Sequence, residues 1–213
     1  MKIFLIIFCL LALETLPVRA QGTLVFDQQS ATNDNFANFS RLVITYKSIG
    51  QSFTPTLSGI DFVRLRMTSA SPLSPGATLS GAVYVNLWAG GISNGVLLAA
   101  TAPVNINLSL PFASVVYANF LFSSSVSLTP GTTYFLQPVE LPQVQIFDFG
   151  IFAPPFNGNP YPGGTAFFNA TASPFYDLWF REGVVVTPEP SPAHLLLVAM
   201  IGFTTFRHKI KPG

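Results

Sequence analysis

The sequence predicts an all-β fold, an antiparallel β-sandwich, and three observations carry that prediction. Val, Ile, Thr, Phe and Tyr recur in short runs; Gly, Pro, Asn and Ser separate the runs at roughly ten-residue spacing; and no stretch from Gln21 to Val186 places apolar residues at helical spacing. Eight to ten such strands without a helical layer bury their apolar faces by stacking two sheets. A membrane barrel would need longer and more regular strands, and the 18 prolines interrupt too often for one. No internal repeat exists beyond this spacing.

In chain order, Thr23 to Phe26 forms a first short strand, and Asp27 to Asn38, rich in Asn, Gln and Ser, reads as a loop. Arg41 to Tyr46 and Gly50 to Thr54 supply the next strand or pair, which Pro55 ends because it offers no ladder donor. Ile60 to Thr68 alternates apolar with charged residues across Asp61, Arg64 and Arg66, which predicts one wet face; Phe62-Val63 breaks the period, as a bulge does. Ser69 to Ser80, with Pro72, Pro75 and Gly76, is a surface loop. Gly81 to Trp88 returns as a strand with Val83, Val85 and Leu87 on one face and Tyr84, Asn86 and Trp88 on the other.

Gly90-Gly91 and Asn94-Gly95 are turn signals calling for positive φ, and Val96 to Thr101 leaves them as the neighbouring strand. Val115 to Phe122 alternates weakly. Val126 to Leu128 leads through Thr129-Pro130-Gly131-Thr132, whose proline presets φ and whose glycine accepts the reversal, into Thr133 to Val139. Val144 to Phe149, a Pro/Gly/Asn loop from Pro154 to Gly164, Thr165 to Asn169 and Tyr176 to Arg181 complete the body.

The two ends read as targeting segments. Met1-Lys2, the apolar run Ile3 to Leu13 and Val18-Arg19-Ala20 form a secretory signal peptide over residues 1–20, cut after Ala20; the run is shorter than the ~20 residues of a spanning helix. Cleavage removes Cys9, the single cysteine, so the body over 21–186 is expected to fold without disulfides. Residues 187–213 form a tail of three parts: Thr-Pro-Glu-Pro-Ser-Pro, an apolar helix over 193–206, and a basic end at Arg207, Lys209 and Lys211. The prolines stop any ladder, the apolar part enters a bilayer as a short transmembrane helix, and the cations hold its end at anionic headgroups.

Between these ends, five basic residues stand against seven acidic ones, a net charge of −2 without a basic stripe. That excludes nucleic acid as a partner. Both histidines, His194 and His208, lie in the tail, so the body lacks histidine and cysteine for triads, zinc sites or histidine bases, and it carries no phosphate-cradling loop. The expectation is no catalytic residue. Carboxylate chemistry survives as the lesser alternative, a glycoside hydrolase built on Glu140 and Glu182 with Asp148 and Asp177 behind them.

A hard cation is the second polar candidate, because Asp27, Asn33, Asp34 and Asn35 put several oxygens close together; Asp27 and Asp34 would be the charged calcium ligands. Loops also use Asp and Asn to satisfy local backbone groups, and no cofactor is the default reading. Aromatic residues make up 14% of the chain; Trp88, Phe156 and Tyr161 are the candidate glycan contacts, the last two in the long Pro/Gly loop. Asn38, Asn107 and Asn169 open Asn-x-Ser/Thr triplets, which matter only in a eukaryotic secretory route.

Pro188-Glu189-Pro190, the apolar segment and the basic end together resemble the PEP-CTERM sorting signal of exported bacterial proteins. The resemblance covers about the last 26 residues, departing where His194 starts the apolar segment and Ile210 interrupts the basic end. It implies a Gram-negative producer of extracellular polysaccharide and an exosortase-type protease that removes the tail. The body, on Gly50-Gln51-Ser52-Phe53, Val83 to Trp88, Gly95 to Ala99 and Leu128 to Phe135, is similar to the sandwich domains found before such anchors, which resemble carbohydrate-binding jelly rolls. The resemblance thus implies an exported, non-enzymatic protein, held transiently at the inner membrane and released to the cell surface or polysaccharide matrix. The role expected there is structural or adhesive, with a carbohydrate-binding module as the alternative.

Overall fold

The computed structural model describes residues 22–32, 40–42, 48–69, 78–92, 94–109, 115–141, 147–152 and 161–187. They form fourteen strands: β1 (Thr23–Gln29), β2 (Ser40–Leu42), β3 (Gly50–Phe53), β4 (Gly59–Ser69), β5 (Thr78–Ala89), β6 (Val96–Ala100) and β7 (Val104–Ser109), then a second run. That run is β8 (Val116–Ser127), β9 (Tyr134–Leu141), β10 (Phe147–Phe152), β11 (Ala166–Phe168), β12 (Thr171–Ser173), β13 (Asp177–Leu178) and β14 (Phe180–Val186). Leu24–Val185 forms one compact unit; the other, Met1–Thr23 with Val186–Gly213, lies almost wholly outside the described residues. The expected signal peptide and apolar helix, the Pro-Glu-Pro motif and the basic tail therefore fall outside them, as do Asp34 and Phe156.

The fold is all-β and sandwich-like, with two seven-stranded antiparallel sheets. The first runs β1-β14-β4-β10-β13, with β8 on β4 and β2 on β10; the second runs β12-β11-β3-β9-β5-β6, with β7 on β5. Alternation decides what lies between them. Val83, Val85 and Leu87 of β5 join Val63, Leu65 and Met67 of β4, Phe120 of β8 and Phe180 of β14 in one buried cluster. Each large apolar side chain buried there contributes about 1.5–3 kcal/mol, so the body can hold together without a disulfide.

Several expectations are met in detail. The Phe62-Val63 irregularity is a register shift in the β4–β8 ladder between Ile60 and Phe62. Gly90 and Gly91 have φ of 83° and 149°. Thr132 N–H donates to Thr129 C=O at 3.1 Å, and Gly131 sits at φ 80°, closing the Pro-Gly turn.

Other expectations are corrected. There are more strands than eight to ten, because β7 and β12 carry no clear strand signal of their own and the last segment divides at Trp179 into β13 and β14. The loop expected from Asp27 is strand through Gln29, because β1 pairs along β14; Gln28 N–H also donates to the Glu182 carboxylate at 3.1 Å. β8 runs unbroken through Ser123, Ser124 and Ser125, which lie on its exposed half. Gly95 is needed for close approach and not for φ: a Cβ there would collide with the backbone oxygens of Ala89 and Gly91. The Pro-Gly turn joins two sheets, with β8 on β4 and β9 on β5 and β3. It docks on the β3–β4 connection through Leu128 N–H to Ser58 C=O and Gly131 N–H to Pro55 C=O. Finally, the face of β4 expected to be wet is only partly so: Asp61 and Arg64 are half-buried, whereas Arg66 is 6% exposed and Thr68 is buried beside it.

Candidate functional site

The outward face of the second sheet is fixed by the alternation that fills the core. Leu87 and Leu136 point inward, so Trp88 of β5 and Phe135 of β9 point outward, and the two are direct cross-strand partners. Phe167 of β11 lies between buried Ala166 and Phe168 and meets Phe135 edge-on, with centroids 5.4 Å apart. On the other side of Trp88 its partner is Leu97 of β6, which is exposed. The three rings are half-buried. Leu97, Trp88, Phe135 and Phe167 thus form a row across the sheet.

Polar groups flank the row. Trp88 Nε1–H donates to Gln137 Oε1 at 2.9 Å, and Asn86 Nδ2 donates to the same oxygen at 3.4 Å. Asn86 and Gln137 are themselves cross-strand partners, so the indole is pinned by a side chain that the ladder holds in place. Half-exposed rings beside fixed amides can stack on the apolar faces of sugars while the amides meet hydroxyls. Across one sheet they make an extended aromatic surface, in which Phe135 and Phe167 stand at 77° to each other.

A second polar assembly is buried and bridges the two sheets. Asp177 of β13 is fully buried and accepts hydrogen bonds from Gln51 Nε2 of β3 at 2.8 Å and from Tyr161 N–H at 3.0 Å. Gln51 Oε1 in turn accepts from Leu178 N–H at 2.7 Å. Burial pushes the Asp177 carboxyl up to about 6, against the lowering effect of those two donors. Glu182 of β14 is also fully buried; burial and then the Asp27 charge push it up to about 8, although Gln28 N–H donates to its Oε1. Its other oxygen has no donor among the described residues.

Tyr161 and Asp27 complete this assembly. The Tyr161 hydroxyl accepts from Thr54 N–H at 3.0 Å and donates to Gln28 Oε1 at 3.1 Å, while its ring packs edge-on against Phe180 at 5.2 Å. Burial, with the charges of Glu182, Asp27 and Asp177, pushes the phenol up to about 12 despite the Thr54 donor. Asp27 goes the other way. Burial would raise it, but Leu57 N–H, the Thr56 hydroxyl and N–H, and Gln28 Nε2 all donate to it and hold it below the usual carboxylate range.

The site residues named from sequence are thereby separated. Trp88 lies on an outward face, with partners the sequence did not single out, Phe135 and Phe167. Tyr161 is only 6% exposed, and its hydroxyl and ring serve the interior. Asp27 spends its oxygens on the turn at Thr56 and Leu57, and among the described residues no group of three acidic, histidine or cysteine side chains is placed to hold a metal. Asp34 and Phe156 lie outside the described residues. Of the four carboxylates considered for hydrolysis, Glu140 belongs to β9 in the second sheet, and Asp148 of β10, Asp177 of β13 and Glu182 of β14 belong to the first.

No family model and no curated protein matches this chain. Its own residues therefore carry the functional reading. The period-2 pattern already puts Phe135 and Phe167 out of phase with their buried neighbours, which is the signal that finds them. Register, which sets Phe135 opposite Trp88, is not written in either strand alone.

Proposed function

We propose that this chain is an exported, non-catalytic surface or matrix protein that adheres to extracellular polysaccharide through the aromatic row of its second sheet. The carrying observation is the shared outward face of Trp88, Phe135 and Phe167, with Asn86 and Gln137 fixed beside it. A non-catalytic role is supported by the burial of Asp177 and Glu182, whose carboxyls hold strands and loops and do not line a surface. The jelly-roll reading draws support from the path of the chain, because successive strands from β7 to β11 alternate between the second and first sheets. Export rests on the signal peptide and the PEP-CTERM-like tail. The tail would take a short transmembrane helix into the inner membrane until an exosortase-type protease releases the body.

Retention of the purified protein on immobilised polysaccharides tests adhesion. Wild-type protein is expected to be retained on at least one extracellular polysaccharide, and Trp88→Ala and Phe135→Ala each to weaken retention about tenfold, since a lost stacking ring is worth roughly 1 kcal/mol or more. Circular dichroism checks that the variants stay folded. Equal retention of folded variants and wild type would remove the row from the reading, and no retention on any glycan would leave only a structural role.

A further inference from the structure

The outward face of the first sheet, on the opposite side of the sandwich, carries a different chemistry. The β4–β14 register sets Arg181 opposite Arg64, and the β4–β8 register sets Tyr117 opposite Arg66 and Asn119 opposite Arg64. Three of the five cations of the body, Arg64, Arg66 and Arg181, therefore share one patch. Aromatic rings hold it in place. Arg181 lies 5.1 Å from the ring centroids of both Phe26 and Trp179, Arg64 lies 5.8 Å over Tyr117, and Tyr117 meets Trp179 edge-on at 4.8 Å. Arg181 Nε–H also donates to Ala31 C=O at 2.7 Å.

Arg66 is the residue this packing leaves unexplained. It is 6% exposed, and its Nε and Nη1 are buried without an acceptor among the described residues; Trp179 Nε1, also buried, lacks one there too. A guanidinium taken from water without an acceptor is strongly unfavourable, since a buried charge normally survives only when paired. Three carboxylates are committed elsewhere: Asp27 to Thr56 and Leu57, Asp61 to Val185 N–H, Asp177 to Gln51 and Tyr161. The rim of the patch on the β8 side, Arg64, Tyr117 and Asn119, is half-buried and so in contact with solvent.

We propose that this face is a binding site for an oxyanion, centred on Arg66, with Arg64 and Arg181 supplying further positive charge. A planar guanidinium suits a carboxylate or sulfate group, and the low local dielectric strengthens the contact. The group is borne by a sugar, a uronate or a sulfated residue of a matrix polysaccharide; the sugar rests on the proposed matrix role, whereas the oxyanion site does not. One sandwich face would then stack on sugar rings and the other pair with their charged substituents, which lets one molecule join two chains.

Thermal unfolding of the full protein in low-salt chloride buffer tests the site. The additions are sodium sulfate, oligogalacturonate, a neutral oligosaccharide and chloride of matched ionic strength. Sulfate or oligogalacturonate at about 10 mM is expected to raise Tm by about 3 °C over chloride, as a ligand of the native state does. Arg66→Leu should melt no lower than wild type in chloride, having lost an uncompensated charge, and should lose the anion-dependent rise. Titration of wild-type arginine Nε–H resonances provides a second readout that does not depend on the variant folding; one of them should move downfield with the anion.

A larger response to oligogalacturonate than to sulfate supports a sugar-borne anion, and equal responses retain the site while removing the polysaccharide as its source. A wild-type protein whose Tm and Nε–H signals ignore every oxyanion overturns the proposal, as does a folded Arg66→Leu that keeps the full response. Failure here leaves retention through Trp88 untouched, so the two readings fall separately.

Discussion

A carboxyl that is fully buried, with one oxygen accepting Gln28 N–H and the other without a donor among the described residues, is better off protonated, and burial first and the Asp27 charge second push Glu182 up to about 8. Its ordinary value is 4.5, so the folded state binds the proton more tightly than the unfolded chain. Its contribution to stability is then fully present below about pH 4.5 and lost as pH rises through about 8. Asp177 behaves in the same sense over a lower window, from 3.8 to about 6, whereas Asp27, held down by its donors, contributes stability that is lost as pH falls. The wild-type profile mixes all three, so a difference isolates Glu182. Glu182→Gln keeps the oxygen that accepts from Gln28 and abolishes the titration. It is expected to match wild type in urea unfolding near pH 4.5 and to exceed it by on the order of 1–3 kcal/mol near pH 9. Parallel profiles across that range would mean that Glu182 stays charged when folded. None of this is legible in the sequence, where Glu182 is only one of four candidate carboxylates for hydrolysis, because its partner Gln28 lies 154 positions away.

Elements whose signal is local are readable, and those whose signal is a neighbour are not. The alternation in β5, the stop at Pro55, the Pro-Gly turn and the bulge in β4 all follow from a few adjacent residues. β7 carries the same period, with Ile106 and Leu108 buried and Asn105 and Asn107 exposed, but asparagine is poor in strands and hides it; its place comes from pairing along β5. The three serines of β8 read as a break because an exposed half-strand looks like a loop. The connection from β11 to β12 shows why a local rule can still apply late: Asn169 and Ala170 have φ of 54° and 58°, the two positive angles of a tight hairpin turn, yet Ala170 is not a residue that advertises them. Between β1 and β14 the determinant is a missing side chain. A Cβ on Gly183 would collide with the Val25 carbonyl and come within 3.0 Å of Asp27 N, both backbone and neither able to yield cheaply. Gly183→Ala is therefore expected to lower stability by about 2 kcal/mol or more and to raise amide exchange in β1 above that in β5, which hydrogen exchange on the folded variant would measure. Unchanged protection of β1 would show that the edge can shift to admit a methyl group.

At the scale of the whole molecule, the first and last strands are neighbours at one edge of the first sheet, and the processing positions expected from sequence fall just beyond them. Cleavage after Ala20 would leave Gln21 and Gly22 ahead of Thr23, where β1 begins. At the other end β14 stops at Val186, and Pro188, Pro190 and Pro192 cannot donate to a ladder, so the strand has no way to grow into the tail. Val185 N–H is already satisfied by Asp61 at 2.7 Å, which anchors the strand before that point. A protease acting near Pro188-Glu189-Pro190 would thus cut beyond Val186, the end of the last described strand, and leave the described strands whole. The apolar segment over 193–206, about 21 Å long as a helix against a ~30 Å hydrocarbon core, would hold the uncut protein only marginally, which agrees with the proposed removal of the tail. Replacing Pro188, Glu189 and Pro190 with alanine separates sorting from folding. The variant body should unfold at the wild-type temperature, while in the native host the full-length chain accumulates in the membrane fraction and the shorter released form disappears. A variant released at wild-type size and in wild-type amount would show that the triplet is not read. A variant released with a lowered Tm would show instead that the prolines belong to the fold and that the sandwich extends past Val186.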